Sequence, residues 1–150
     1  MARDSRTTVH ALSIRQPWAA LIVLGLKTVE VRRWATPRRG PLLIHAARLP
    51  DPRCEVWENL PPEAQPVARQ YGGIIGIADL VDCLVYESPE EFAWDRPRHW
   101  NPPEWFKPPR LFGFQFANPS QLPFQPALGW MRIFRIDLEK KKMRGSRSKS

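Results

Sequence analysis

Four side chains within one short stretch could do chemistry together: Lys27, Glu30, Arg32 and Trp34. In an extended strand Glu30, Arg32 and Trp34 share one face by period two, and Val29 and Val31 take the other. Same-face neighbours lie roughly 6.5–7 Å apart. Glu30 can therefore sit between Lys27 and Arg32 and hold both cationic groups in place. Such a site suits a phosphate, a carboxylate or the polar edge of a base. The same spacing also suits a surface ion-pair cluster, worth about 0–1 kcal/mol per pair. In a catalytic reading, Lys27 and Glu30 are the pair, with the carboxylate as general base.

Other residues add to this set. Gln16 offers an amide that can pair with a base edge. Arg38 and Arg39 follow Pro37 and precede Gly40, as in a loop tip exposing two guanidinium groups. Planar guanidinium forks suit phosphate. Trp18 and Trp34 are flat faces near basic groups, the means by which single-stranded nucleic acid is held. Trp18 also fits a buried helix. His45 lies in an apolar strand, as a core or cleft-edge histidine. His10, His45 and His99 lack metal-ligand spacing, and no metal or cofactor is expected. There is no phosphate-binding glycine loop, no dinucleotide fingerprint and no serine-nucleophile motif. The aromatic, proline-rich stretch 92–112 reads either as a lid over a cleft or as a plug.

Charge narrows the partner. The 150 residues carry +8, from 23 Lys+Arg and 15 Asp+Glu. Residues 140–150 alone hold six of the basic residues, so the expected folded part, 9–139, is only +1. A uniformly basic domain is excluded, but a basic face is not. Seven basic and two acidic residues lie between Lys27 and Arg53; seven acidic and two basic lie between Asp79 and Glu104. The longest apolar run is too short to span a bilayer. With no apolar leader and only Cys54 and Cys83, the expectation is a cytoplasmic protein, or a nuclear one if eukaryotic.

The elements that must position these residues are punctuated by 17 prolines, whose clusters at 50–66, 97–109 and 119–126 read as long ordered loops within one domain. The pattern predicts strands at 9–14, 28–34, 41–47, 73–85, 111–117 and 130–138. A buried apolar helix spans about 17–25, with Gly25 as its C-cap. One short helix is expected to be capped at Asp51-Pro52, another spans 62–71, and a third begins at the capping box Ser88-Pro89-Glu90-Glu91 and runs to about Trp94. Five or six strands with short helices and no βαβ rhythm predict an α+β fold built on a small mixed or antiparallel barrel. Residues 1–8 are expected to be a flexible N-terminus, 9–139 one domain, and 140–150 a disordered basic tail.

Leu12-Ser13, Gln16-Pro17-Trp18-Ala19, Gly25-x-Lys27-x-x-Glu30-x-Arg32-x-Trp34, Gly40 and Ile44-His45-Ala46 together resemble the ASCH domain (activating signal cointegrator homology) of the PUA-like superfamily. The likeness extends over roughly 10–138. It implies a small β-barrel with a cleft beside the first helix, lined by Lys27, Glu30 and Arg32. It also implies binding of RNA, single-stranded nucleic acid or a modified nucleotide, in RNA metabolism or transcription regulation, by a monomer. One short branch of the family instead hydrolyses an acylated cytidine nucleoside, with a threonine three residues after the motif lysine. Here that position holds Glu30, which counts against the same chemistry. An amidohydrolase or ribonuclease remains the alternative, and a protein-interaction module a further one.

Overall fold

The computed structural model describes residues 6–139, and the basic tail expected at 140–150 lies outside them. Six strands form one mixed sheet: β1 (Arg6–Ile14), β2 (Val29–Arg32), β3 (Gly40–Ala46), β4 (Gly73–Tyr86), β5 (Leu111–Pro126) and β6 (Ile133–Glu139). Their order is β2-β5-β4-β3-β1-β6. Only β1 and β3 run parallel; every other pairing is antiparallel. The sheet curls into a half-barrel, with β2 and β6 as its two edges. Register shifts at Ile74/Gly76, Ile77/Asp79 and Leu80/Asp82 bend the long β4–β5 ladder, as bulges do.

Several boundaries differ from the sequence reading, among them β2, which ends at Arg32 rather than Trp34, and the helix expected over 62–71, which ends at Ala68. β1 begins at Arg6, paired with Glu139, so residues 6–8 belong to the sheet. β5 runs on through Pro119 and Pro123 to Pro126. Both prolines sit where the ladder skips: Ala117 pairs Asp79 and Ser120 pairs Ile77, then Gln121 pairs Gly76 and Gln125 pairs Ile74. A bulge needs no ladder donor, so proline is tolerated there. β6 starts at Ile133, not Trp130, because Arg132 takes a left-handed conformation (φ 55°) that ends the preceding loop.

The helices are short: α1 (Trp18–Val23), α2 (Cys54–Glu58), α3 (Gln65–Ala68), α4 (Pro89–Trp94) and α5 (Arg96–His99). All six residues of α1 are buried. It packs on Leu12, Ile14, Ile44, Ile75, Leu80 and Phe114 from the sheet. Gly25 (φ 77°) stops it. Gly25 N–H donates to Ile22 O and Leu26 N–H to Leu21 O, the paired bonds of a Schellman turn. Ser88 Oγ caps α4 by accepting from Glu91 N–H, while Glu91 closes back on Glu87 rather than on Ser88.

α1 can lie this close to β4 only because residue 76 lacks a side chain. A Cβ on Gly76 would come within 2.4 Å of Val23 Cγ1 and 2.7 Å of Ser120 O. Overpacking of this kind costs about 1–3 kcal/mol. Gly76→Ala should lower unfolding free energy by that amount in urea titration.

Candidate functional site

The Schellman turn after α1 reverses the chain and sends Lys27 back beneath the helix. Its side chain is only 1% exposed. Its Nζ donates to Val29 O at 2.6 Å and His99 O at 2.8 Å, and lies 3.3 Å from Glu30 Oε1. An ammonium has three donors, so Lys27 is saturated. The Trp18 ring covers it, with Nζ 4.8 Å from the ring centroid. Burial pulls its pKa below the ordinary lysine value, against the pull of Glu30 in the other direction.

Glu30 stands between the two cations. Its Oε2 lies 3.2 Å from Arg32 Nη2. That nitrogen also donates to Ser13 O at 2.8 Å, joining the β2 edge to β1. Arg32 Nε is buried without a hydrogen-bond partner. Trp34, just past β2, stands edge-on to Phe114 at 4.9 Å and beneath the Arg132 guanidinium at 5.0 Å. Val29 is buried, and Val31 packs with Tyr86, Phe92 and Leu111 on the other face.

These side chains floor a cavity of about 940 Å³. The stretch 92–112 builds one side of it and is no free lid. Phe92 and His99 are buried and stack at 4.2 Å. Trp105, Phe106 and Lys107 then line the wall. Asp51 locks that wall to α1. It accepts from Trp18 Nε1 (2.8 Å), and from Arg53 Nη2 (2.6 Å) and Nε (2.9 Å). Against the effect of its burial, these donors hold its pKa down at about 2. The Arg53 guanidinium in turn lies 3.3 Å from the Trp105 ring centroid, and Trp105 meets Trp18 edge-on. Asp51 therefore caps no helix; α2 has Arg53 at its N-cap, without a side-chain bond.

The candidate residues divide. Trp18, Lys27, Glu30, Arg32 and Trp34 line the cavity. Gln16 does not: it is fully buried, donates to Val67 O and Gln70 O, and accepts from Ala20 N–H. Its amide is spent on packing α1 against α3. His45 also lies away from the cavity, held by Ser13 Oγ and Ala127 O. Gly129 packs against its ring, where a Cβ would meet Cε1 at 2.7 Å. His45 thus anchors the 127–132 loop that brings Trp130, Met131 and Arg132 to the cavity. Arg38 and Arg39 are exposed on the β2–β3 loop outside it. Arg39 is committed to Thr36 O, Arg38 O and Asp82. Arg15, Arg33, Lys107 and Trp130 also line the cavity without being singled out by the sequence, and Trp105, one of the tryptophans that the sequence marks, joins them. The charge bias toward 27–53 covers Arg33 and the high tryptophan count covers Trp130; nothing local points to Arg15 or Lys107. Among the described residues no three His, Cys, Asp or Glu side chains are grouped to hold a metal. No helix there is long and apolar enough to cross a membrane.

Two predictions follow from the floor. Lys27→Met strands Glu30 and two carbonyls, so it should cost about 3–5 kcal/mol of stability. Lys27→Met with Glu30→Gln should cost less than the two single changes summed, in a double-mutant denaturation cycle. His99 donates from Nε2 to Phe92 O and accepts at Nδ1 from Asn101 N–H, which makes it neutral. Burial is the main cause of its low pKa, about 4; Lys27 and Arg96 add to it, and the Phe92 bond and Asp95 oppose it. Between about pH 6.5 and 4 the unfolded chain takes up a proton that the folded one refuses. Stability should fall by up to about 3 kcal/mol as pH drops through that window. Denaturation at stepped pH checks this, and His99→Gln should flatten the slope.

The geometry matches what comparison with known proteins finds. The family model described as the ASCH domain matches residues 12–112. Activating signal cointegrator 1 of Homo sapiens is 35% identical over 136 residues, 84% of this chain and 22% of that protein. The Mus musculus protein of that name is 40% identical over 89 residues, 53% of this chain and 15% of that protein. The chain thus spans about a fifth or less of the length of these relatives. The crystal structure of ASCH from Zymomonas mobilis superposes with a TM-score of 0.61 at 15% identity, covering 93% of each chain. That likeness shows the fold. A buried Lys27–Glu30–Arg32 floor beside α1, in a curled mixed sheet with short helices, is the arrangement of a chain that belongs to the ASCH domain family.

Proposed function

We propose that the cavity binds RNA, single-stranded DNA or a modified nucleotide. The observation that carries this reading is the presence of unspent cations and indole faces around one cavity. Seven Lys/Arg and three Asp/Glu line it. Lys27, Arg32 and Arg53 are engaged with Glu30 and Asp51. Arg15, Arg33 and Lys107 are exposed and have no ion-pair partner among the described residues. Trp34, Trp105 and the 72%-exposed Trp130 stand among them. Phosphates suit the unspent cations, and bases suit the ring faces.

The floor supports an orientation. A carboxylate has about four lone-pair sites, and Glu30 uses one oxygen for Lys27 and the other for Arg32. Its remaining capacity favours an N–H donor, as on a base edge, over a phosphate. The base then lies inward and the phosphate outward. The hydrolase alternative gains less from this floor, since Lys27 has no free N–H group for a reacting atom. A setting in RNA metabolism or transcription regulation, in cytoplasm or nucleus and as a monomer, accompanies the binding reading. So does the name of the cointegrator relatives.

Fluorescence anisotropy of a labelled, unstructured RNA strand tests it. Log affinity should fall linearly with log salt, by about 0.7 per neutralised phosphate. Trp130→Ala should weaken binding by about 1–3 kcal/mol, and Arg33→Ala with Lys107→Ala should reduce the salt slope. Undetectable binding at low salt, or binding indifferent to these changes, would sink the proposal.

A further inference from the structure

A second cationic cluster lies outside the cavity. β1 and β6 place His10 opposite Arg135. Arg38, from the β2–β3 loop, brings its Nη2 to 3.2 Å from His10 Nε2. Arginine only donates, so the ring accepts at Nε2 and is neutral, with its proton on Nδ1. Arg38 and Arg135 are exposed, and neither has an ion-pair partner among the described residues. Their neighbour Arg39 differs, since it faces Asp82 at 3.8 Å. Two like-charged guanidinium groups held around one imidazole repel each other, and an anion between them relieves that repulsion.

The cluster is connected to the cavity on two sides. Arg132 lines the cavity over Trp34. Arg135 is three residues further on, so at most about 11 Å away along the chain. From the other side, the chain leaves the cavity at Trp34 and reaches the cluster at Arg38. Asp137, two residues past Arg135, shares its face of β6.

We propose that Arg38, Arg135 and His10 form a second phosphate site, which takes the backbone of the same strand after it leaves the cavity. This rests on the reading of the cavity as a nucleic-acid site. A phosphate here meets two guanidinium forks. It also reverses the local charge seen by His10. In the free protein, slight burial, then Arg38, then Arg135 hold that imidazole below its ordinary pKa. No acid faces it from β3, which brings Leu43 opposite the adjacent Ala11. A bound phosphate favours the imidazolium, which then donates from both nitrogens. Binding of a long strand therefore takes up a proton, and its affinity rises as pH falls.

The test uses two labelled oligouridylates, a dinucleotide and a strand of about ten nucleotides, with the full chain. Arg38→Ala with Arg135→Ala should weaken the long strand about tenfold and lower its salt slope by about 0.7, with the dinucleotide unchanged. His10→Asn should abolish the several-fold gain in long-strand affinity from about pH 7.5 to about pH 5.5. Long-strand binding that survives the double change but is lost in Arg33→Ala overturns the second site and leaves the cavity reading standing. Equal weakening of both strands also overturns it. A pH-independent affinity removes His10 from the site. No binding of either strand by the unaltered protein defeats the cavity reading itself.

Discussion

The ammonium of Lys27 is a full charge inside the protein, and its bonds tie together two distant parts of the chain. Burying an ion costs several kcal/mol unless its donors are met. Val29 O comes from β2, His99 O from the end of α5, and Glu30 from the strand face. The stretch 92–112 cannot move away from β2 without stranding that charge. Glu30 in turn holds Arg32, and Arg32 reaches Ser13 O on β1. One buried cation thus fixes the floor, one wall and the link from β2 to β1.

That link matters because the half-barrel does not close. β2 and β6 are edges, and bare edges invite pairing with other chains. Here the Arg32 side chain reaches from β2 to Ser13 O of β1, the neighbour of β6, without a ladder. The loops beside it carry Arg33, Trp34, Trp130 and Arg132 onto the cavity. A closed barrel would fill this volume with alternating side chains. Leaving it open creates a site whose walls are held by polar contacts on a rigid sheet. His45 serves the same end from outside the cavity, since its bond to Ala127 O and its contact with Gly129 aim the 127–132 loop.

Much of this was legible from spacing. Period two put Glu30 beside Arg32, the apolar run at 18–26 marked a buried helix, and Gly25 marked its end. The errors share a cause: polar and breaking residues were read locally, while their roles are tertiary. Gln16 read as a base-edge partner, yet its amide is consumed by Val67 O and Gln70 O, some fifty residues away. Proline at 119 and 123 argued for loop, but bulges absorb both. Asp51 read as a cap, whereas its carboxylate orders Trp18 and Arg53. Lys27 was found by its motif, but nothing local says that its three donors are already spent.

Where the acids go explains why a nearly neutral fold presents a cationic cavity. Three carboxylates of the acidic stretch 79–104 are used outside the cavity. Asp79 accepts from Asn118, Asp82 faces Arg39, and Asp95 accepts from Tyr86 and Arg98. Of the three carboxylates that line the cavity, Glu30 and Asp51 are matched to buried or wall cations, which leaves Glu104 to meet the rim. Little negative charge is left to meet Arg15, Arg33 and Lys107 at the rim. Charge segregation of this kind needs no large net charge, because screening limits each group to its neighbours within about 8–10 Å. An anion approaching this face meets those groups before it meets the average of the molecule. The field that would draw a nucleic acid is therefore a property of how the fold spends its carboxylates.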